Sequence, residues 1–292
     1  MTSLPAIPLA QWRARAQTFH HAGDTIAYWT AGDPASPPLL LVHGFPSSSW
    51  DWAHVWEALA REHFLVAADM RGFGLSDKPA GGYSLHAQAD LQLALLAHLG
   101  VERPHVLAHD YGVSVAQELL ARNLEGDTPL ASVYFLNGGL IPGQHRPRLI
   151  QRLGAGPLGV VVSALLSRKR FGQSFSAVFG PNTRPTEAEL DDHWALVTHK
   201  GGHRRTHDLL HYMGDRTTHK ARWVGALAET SVPLGILNGA RDPVSGDHLL
   251  QAVLAEVPGI HATSLPDVGH YPQIEAPEAT LAAYNAFRQS LG

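Results

Sequence analysis

The 292-residue chain contains no cysteine, which excludes disulfide bonds, thiol nucleophiles and cysteine metal sites. Charged residues make up only 16% of it, and 22 Lys and Arg face 26 Asp and Glu, for a formal net charge of −4. We therefore expect no nucleic-acid partner, since no basic field is present to hold a polyanion. The 45% of apolar residues argue against disorder and indicate a large buried core. The length suits one large domain, with or without an insertion.

The apolar segment Leu153–Leu166 is too short to span a membrane, because a spanning helix needs roughly 20 residues. The N-terminal residues do not have the charged-then-apolar pattern of a signal peptide, so the expected location is the cytoplasm. Arg168, Lys169 and Arg170 follow the apolar segment. We interpret it as a helix that covers a pocket. A basic-ended apolar segment also permits contact with a membrane surface, but does not require it.

Short apolar runs alternate with helical patterns along most of the chain. The predicted strands cover residues 39–42, 64–68, 105–108, 132–136, 232–237 and 262–265. The predicted helices cover residues 50–60, 84–99, 112–122, 246–257 and 278–289, and Ser49 is the expected N-cap of the first. This alternation predicts the α/β class, with a doubly wound and mostly parallel sheet.

The alternation stops between about residues 143 and 228, where the patterns are helical or irregular. We interpret this stretch as a helical cap inserted into a core made of residues 1–142 and 229–292. His203, His207 and His211 recur every four residues in it and could share one helix face that binds zinc. The preferred interpretation is that they lie on the cap surface or line a pocket. We predict no metal and no cofactor.

The strongest chemical signal is Asp110, which stands where a predicted strand passes directly into a helix. Small residues occupy the positions two before and two after it, Ala108 and Gly112, as a nucleophile elbow requires. A carboxylate that attacks saturated carbon forms an ester, which an activated water can then hydrolyse. Asp110 therefore indicates substitution at carbon rather than ordinary ester hydrolysis. The alternative is a helix cap without catalytic function.

Two later residues complete the pattern of a triad. Asp242 follows a predicted strand, and His270 lies in a loop after the next one. His270 is the predicted base for the hydrolytic water, and Asp242 would orient it and stabilise the imidazolium. Asp267 competes with Asp242 for that role but lies in the same loop as the base.

The predicted oxyanion hole combines backbone N–H groups from two loops. Phe45 follows the first predicted strand in the sequence HGFP, and Tyr111 follows the nucleophile. Their N–H groups would bind the oxyanion that forms when water attacks the Asp110 ester.

These motifs resemble the α/β-hydrolase superfamily, and within it the branch of epoxide hydrolases and haloalkane dehalogenases. The resemblance covers nearly the whole chain, through HGFPSSSWDW, DMRGFGLSD, AHDYG, NGARD and GHYPQIEAPE. The middle of the chain is more similar still to the mesoderm-specific transcript subfamily, in HDYGVSVAQELL, NGGLIPGQHRPRLI, VFGPNTRPTEAEL and RWVGALAE. The resemblance implies an ester intermediate on Asp110, but that subfamily does not indicate a substrate.

Two departures from the branch separate the possible reactions. Dehalogenases of this branch typically bind the halide through a Trp after the nucleophile and a second Trp or an Asn, whereas Tyr111 and Phe45 stand here. Epoxide hydrolases usually protonate the opening alkoxide with two cap tyrosines, and the predicted cap contains only Tyr212; a histidine could be the second donor. We therefore predict hydrolysis of an apolar epoxide to a vicinal diol. Dehalogenation and non-catalytic ligand binding are the alternatives, and the oligomeric state stays open.

Overall fold

The computed structural model describes residues 4–292, without the side chain of residue 150. Its strands form one eight-stranded sheet in the order β1-β2-β4-β3-β5-β6-β7-β8. The strands are β1 (Gln17–His21), β2 (Asp24–Ala31), β3 (Pro38–Val42), β4 (Phe64–Ala68), β5 (His105–His109), β6 (Ser132–Leu136), β7 (Leu234–Gly239) and β8 (His261–Leu265). The pairs from β4 to β8 are parallel, whereas β1 with β2 and β2 with β4 are antiparallel. The predicted doubly wound, mostly parallel sheet is confirmed.

The helices enclose the sheet on both faces. They are α1 (Leu9–Ala14), α2 (Trp56–Leu59), α3 (Leu85–His98), α4 (Tyr111–Leu124), α5 (Leu149–Gly154), α6 (Gly159–Ala164), α7 (Arg168–Ser176), α8 (Glu187–Thr198), α9 (Thr206–Leu209), α10 (Tyr212–Thr218), α11 (Lys220–Glu229), α12 (Asp247–Glu256), α13 (Pro272–Glu275) and α14 (Pro277–Gln289). Two 3-10 helices cover Ser49–Trp52 and His199–Arg205. Apolar residues of α3, α4 and α12 pack on one face, and those of α1, α2 and α14 on the other. Both faces of the central strands are buried, which explains their continuous apolar sequences.

The first two strands of the sheet precede the first strand that the sequence predicts. They form a hairpin whose turn residues, Ala22 and Gly23, have φ of 50° and 87°. Only Phe19 of β1 is buried, because β1 is an edge strand. The sequence therefore carries little apolar signal there. Ala22 also stands at a turn position where hairpins usually have Asn, Asp or Gly, so the turn is not recognisable from the sequence.

The predicted helix over residues 50–60 is wrong as one continuous element. The structure has a 3-10 helix over Ser49–Trp52 and, after a break, the short helix α2. The N-cap is Ser48, whose Oγ accepts a hydrogen bond from the Trp50 N–H at 3.3 Å. Ser49 instead donates its hydroxyl to the buried carboxylate of Asp69 at 2.6 Å, so a tertiary contact decides its role.

In the described part of the chain, seven helices, α5 to α11, lie between β6 and β7. The last of them, α11, packs on core helix α4, and Trp223 donates its indole N–H to Glu118 there at 2.8 Å. The single helix face proposed for the three histidines does not form. His203 lies in a 3-10 helix, His207 in α9 and His211 in the turn before α10.

Gly112 shows how tightly this fold is packed where β5 meets α4. A Cβ atom at Gly112 would lie 2.3 Å from the backbone oxygen of Val42, whereas a Cβ atom at Gly214, in α10, would meet nothing within 4 Å. We expect Gly112→Ala to lower the free energy of unfolding by about 1–3 kcal/mol or more. Gly214→Ala should raise it by about 0.5–1 kcal/mol, because alanine loses less conformational freedom in a helix. Urea denaturation measures both, and a Gly112→Ala protein as stable as wild type would contradict this packing.

Candidate active site

Asp110 occupies a strained turn between β5 and α4. Its φ of 47° and ψ of −105° lie in a region that L-amino acids rarely adopt. Such strain costs on the order of 1–3 kcal/mol and persists only where neighbouring contacts hold it. The Asp110 N–H donates to the Asn137 carbonyl at 2.8 Å, and the Asp110 carbonyl accepts from Arg216 Nη2 at 3.0 Å. These contacts hold the side chain at the carboxyl edge of the sheet.

The turn also requires very small neighbours in space. A Cβ atom at Gly44 would lie 2.8 Å from Asp110 Cβ and 2.9 Å from His109 Nδ1. Gly112 is confined in the same way by the end of β3. The two glycines therefore allow the HGFP loop and α4 to approach Asp110 together, which explains part of the sequence motif in steric terms.

His270 lies between two carboxylates. Its Nδ1 donates to Asp242 Oδ2 at 2.6 Å, and its Nε2 lies 3.6 Å from Asp110 Oδ1. All three side chains are buried. The structure thus brings together the three residues that the sequence proposes as a triad. Asp267 does not approach His270: its side chain is exposed and lies 3.7 Å from Arg241.

The position of Asp242 is fixed by donors around both carboxylate oxygens. Oδ1 accepts from the Val244 N–H at 2.7 Å, and Oδ2 accepts from Ser245 Oγ at 2.6 Å and from Asn137 Nδ2 at 3.0 Å. Asn137 therefore contacts both the nucleophile's backbone and the acid. Sequence reasoning missed it, although its place directly after the apolar strand β6 is a signal that could have found it.

Charge pairing dominates the ionisation of this cluster. Burial alone would lower the pKa of His270, but the negative charges of Asp242 and Asp110 raise it to about 10. Burial alone would raise the pKa of Asp110. The close approach and positive charge of His270 lower that pKa below its usual value, and the charge of Arg216 lowers it further. At neutral pH the resting site therefore contains an ionised Asp110 and a protonated His270.

The backbone of Phe45 already contacts the nucleophile. Its N–H donates to Asp110 Oδ2 at 2.9 Å, so Oδ1 is the oxygen on the side of His270. Tyr111 is the first residue of α4, and its N–H has no carbonyl partner within the helix. The structure thus places the Phe45 N–H against the nucleophile, and the oxyanion hole formed with the Tyr111 N–H stays a prediction.

Tyr212 is buried beside the nucleophile loop but does not line the cavity that contains Asp110. Its ring lies 5.1 Å from that of Tyr111 and 6.2 Å from that of Phe45. The guanidinium carbon of Arg216 lies 4.5 Å from the Tyr212 ring centroid. Burial raises the pKa of the Tyr212 phenol, and the charge of Asp110 raises it further.

Arg216 and His109 are two buried residues near Asp110 that sequence reasoning missed. Arg216 donates Nε to Ser114 Oγ at 2.7 Å, in addition to its bond with the Asp110 carbonyl. His109 Nε2 bonds the His270 carbonyl at 2.7 Å, and burial and the charge of His270 lower its pKa to about 3. His109 is therefore a neutral residue that positions the base loop. A buried arginine in α10 carries no sequence signal of its partner.

A cavity of about 280 Å³ reaches Asp110 and His270. Its wall is mostly apolar, with aromatic residues Phe45, Phe171, Phe175 and Tyr271 among the lining side chains. Besides Asp110 and His270, the polar lining residues are Arg148, Gln151, Ser163, Arg170, Ser174 and Thr206. A small apolar space with a few placed polar groups is typical of a small-molecule site.

A profile of the alpha/beta hydrolase fold matches residues 37–277. The chain belongs to the α/β-hydrolase family. Mesoderm-specific transcript protein of Mus musculus is 40% identical over 295 residues, covering 97% of this chain and 88% of the relative. LipZ of Mycobacterium tuberculosis, named as a hydrolase, is 39% identical, covering 85% of this chain and 87% of its own length. The soluble epoxide hydrolase of Corynebacterium sp. is 40% identical over 102 residues, 34% of this chain and 35% of that enzyme. The family supports hydrolysis as the general function.

Solved structures agree with the fold. An α/β-hydrolase fold protein from Burkholderia ambifaria superposes with a TM-score of 0.77 at 26% identity, over 96% of this chain and 98% of that one. The epoxide hydrolase CorEH gives 0.78 at 22% identity, over 95% and 99%, and the haloalkane dehalogenase DbeA of Bradyrhizobium elkani gives 0.79 at 23%, over 95% and 99%. These last two likenesses show the fold alone. Over residues 4–292, no helix has both the length and the apolar character needed to cross a membrane.

Removing the Asp110 charge should change the ionisation of His270 in a defined direction. Each neighbouring anion favours the imidazolium, so Asp110→Asn should lower the His270 pKa from its value of about 10, with Asp242 still raising it. The histidine ring resonances, followed by NMR across a pH titration, measure this pKa. Asp267→Asn removes the same charge from an exposed position and should leave it unchanged. An unaltered pKa in Asp110→Asn would contradict the charge pairing.

Proposed function

We propose that this hydrolase opens an apolar epoxide to a vicinal diol through a covalent ester on Asp110. The observation that carries the proposal is the orientation of the Asp110 carboxylate. Oδ2 is held by the Phe45 N–H, and Oδ1 lies beside His270 at the cavity. The carboxylate thus has one oxygen free to attack and the other bound where an oxyanion would form.

In the first step Oδ1 attacks an epoxide carbon, the carbon–oxygen bond of the ring breaks, and the alkoxide takes a proton from a nearby side-chain donor. The depressed pKa of Asp110 keeps the nucleophile ionised. The apolar wall keeps bulk water from competing with the attack.

In the second step water attacks Cγ of the ester and gives a proton to His270 Nε2. Ester formation has removed one of the two anions that raise the His270 pKa, so this pKa falls. His270 then returns its proton to the deprotonated donor of the first step, and the neutral imidazole can act as a base. The oxyanion develops on Oδ2, bound by the N–H groups of Phe45 and Tyr111. The Cγ–Oδ1 bond then breaks, and the diol leaves with the proton from His270. The new carboxyl group of Asp110 gives its own proton to His270, which restores the resting carboxylate and imidazolium.

Dehalogenation is the second reaction that the same ester chemistry allows. A leaving halide needs N–H donors from side chains that face it. In the dehalogenase branch, two positions supply these donors. Tyr111 and Phe45 occupy those positions here, and neither side chain has an N–H group. This chemistry supports the epoxide over the halide.

The proton donor of the first step has two candidates. Tyr212 is the residue proposed from sequence, and its ring packs near those of Phe45 and Tyr111. Ser163 lines the cavity itself, and its Oγ lies 3.0 Å from the His207 N–H and 3.2 Å from His207 Nδ1. When both nitrogens donate to Oγ, the serine hydroxyl hydrogen is free to point towards the cavity and to be donated to the alkoxide.

Blocking the second step should trap the intermediate. His270→Gln should accumulate an ester on Asp110 when exposed to a mixed panel of epoxides and haloalkanes, because no base activates the water. Intact-protein mass and peptide mapping measure the adduct, and Asp110→Asn/His270→Gln is the matched control that should stay unmodified. An adduct with the mass of the whole epoxide supports the proposal.

An adduct that lacks the halogen of its haloalkane would assign dehalogenation instead. Normal turnover by His270→Gln would contradict the two-step scheme. Saturable ligand binding without any adduct, unaffected by Asp110→Asn, would identify a ligand-binding protein.

The two donor candidates differ in the step they affect. Loss of the true donor should slow ester formation by about 10²–10⁴-fold and leave ester hydrolysis unchanged, because the donor acts only on the first alkoxide. Single-turnover kinetics with Tyr212→Phe and Ser163→Ala separate the two steps. Equal rates of ester formation in wild type and both variants would exclude both residues as donors.

A further inference from the structure

The most unusual surface of the molecule lies over helices α5 and α6. Six of the eight large hydrophobic side chains that are exposed in the described residues fall between residues 149 and 165. We call them the apolar patch: Leu149, Leu153, Leu158, Val160, Val161 and Leu165. Three are more than 60% exposed: Leu149 at 71%, Val160 at 62% and Leu158 at 61%. A concentration of exposed apolar residues in one short segment marks an interaction surface.

The segment that carries the apolar patch has charges of one sign. Residues 143–186 contain seven Lys and Arg and no Asp or Glu, which leaves 15 Lys and Arg against 26 Asp and Glu in the rest of the chain. Arg168 is neutralised by Glu187 and Asp191 at 2.8 and 2.6 Å. Arg152 and Lys169 are exposed beside the apolar patch. An acidic protein thus presents a basic, apolar face at one place.

The cavity of the candidate active site opens through this same face. Leu165 belongs to the apolar patch, with 57% of its surface exposed, and also lines the cavity. Arg170 is likewise exposed and lines the cavity. Asp110 and His270 lie at the buried end. A molecule that reaches Asp110 by this route passes between apolar side chains and arginines.

We propose that the apolar patch docks on an anionic lipid bilayer, and that the substrate enters the cavity from that surface. Short helices with exposed Leu and Val insert their apolar side into the interface, while neighbouring Lys and Arg attract anionic headgroups. The acidic remainder of the chain is repelled by the same headgroups, so the docked orientation is defined. The docking proposal rests on this surface alone. The further inference, that the entering molecule is hydrolysed at Asp110, rests on the proposed function.

Charge also argues against a second copy of this chain as the occupant. A two-fold dimer through the apolar patch would place the same basic segment of both copies face to face. Like charges opposed across an interface weaken it, whereas an anionic bilayer complements them. The lipid surface is therefore the occupant that satisfies both the apolar and the basic character.

Vesicle sedimentation tests the docking with the full-length protein. We expect binding to vesicles of equimolar phosphatidylcholine and phosphatidylglycerol, and weaker binding to pure phosphatidylcholine. Leu158→Ser/Val161→Ser should weaken binding about tenfold or more, because less apolar surface enters the interface. The matched control is Leu124→Ser/Leu254→Ser, which changes two exposed leucines outside the patch and should bind as wild type. Circular dichroism checks that all variants are folded.

Charge variants test the second part of the surface. Arg152→Gln/Lys169→Gln should weaken binding to the anionic vesicles about tenfold or more at low salt and leave binding to phosphatidylcholine unchanged. Arg61→Gln/Lys220→Gln removes two exposed charges elsewhere and should bind as wild type.

Two outcomes would overturn the docking proposal. One is wild-type protein that does not sediment with anionic vesicles, or that loses no binding in Leu158→Ser/Val161→Ser. The other is a dimer in analytical ultracentrifugation that the same variant dissociates, which would assign the patch to a second copy. Asp110→Asn should bind vesicles as wild type does. Vesicle binding without any adduct in His270→Gln would thus reject the proposed function and leave the docking intact.

Discussion

The site depends on the backbone of one residue, Asp110, in a conformation that costs free energy. The cost is met by contacts from three separate parts of the chain: the Asn137 carbonyl after β6, the Arg216 guanidinium from α10, and the HGFP loop around Gly44. Each contact needs the sheet to be assembled first. The strained turn is therefore a product of the whole fold, and in return it places a carboxylate where the parallel strands end.

Two negative charges around one imidazole give this site its chemical direction. A protonated His270 beside ionised Asp110 and Asp242 is a stable resting arrangement, and it is unsuited to base catalysis. Esterification of Asp110 would remove one charge and release the base for the second step. In this proposal, the charge pairing that keeps His270 protonated at rest also ensures that it acts as a base only after the ester has formed. A serine at the elbow carries no negative charge at rest and would not exert this control.

The helices between β6 and β7 are apolar on two sides, the side that lines the cavity and the side that faces solvent. Their inner side closes the cavity over Asp110 with aromatic residues, and their outer side exposes the apolar patch. An apolar side chain such as Leu165 belongs to both sides. Exposed apolar side chains are hydrated unfavourably, so contact with another apolar phase would lower the free energy of these helices. This links the proposed docking to the apolar character of the proposed substrate.

The sequence by itself determined the fold class and the candidate residues of the site. The buried parallel strands are mostly apolar, Asp110 and Asp242 follow two of them, and His270 lies in the loop after the edge strand β8. Only the tertiary structure decided which carboxylate meets His270: Asp267 is nearer in sequence but exposed, whereas Asp242 is held by Asn137 and Ser245. It also decided that Tyr212 does not line the cavity and that Arg216 holds the Asp110 carbonyl. Edge strand β1 stayed hidden for a related reason, since one buried side chain in five leaves almost no pattern. Periodicity records which residues are buried within an element, whereas partners across the fold depend on how the elements pack.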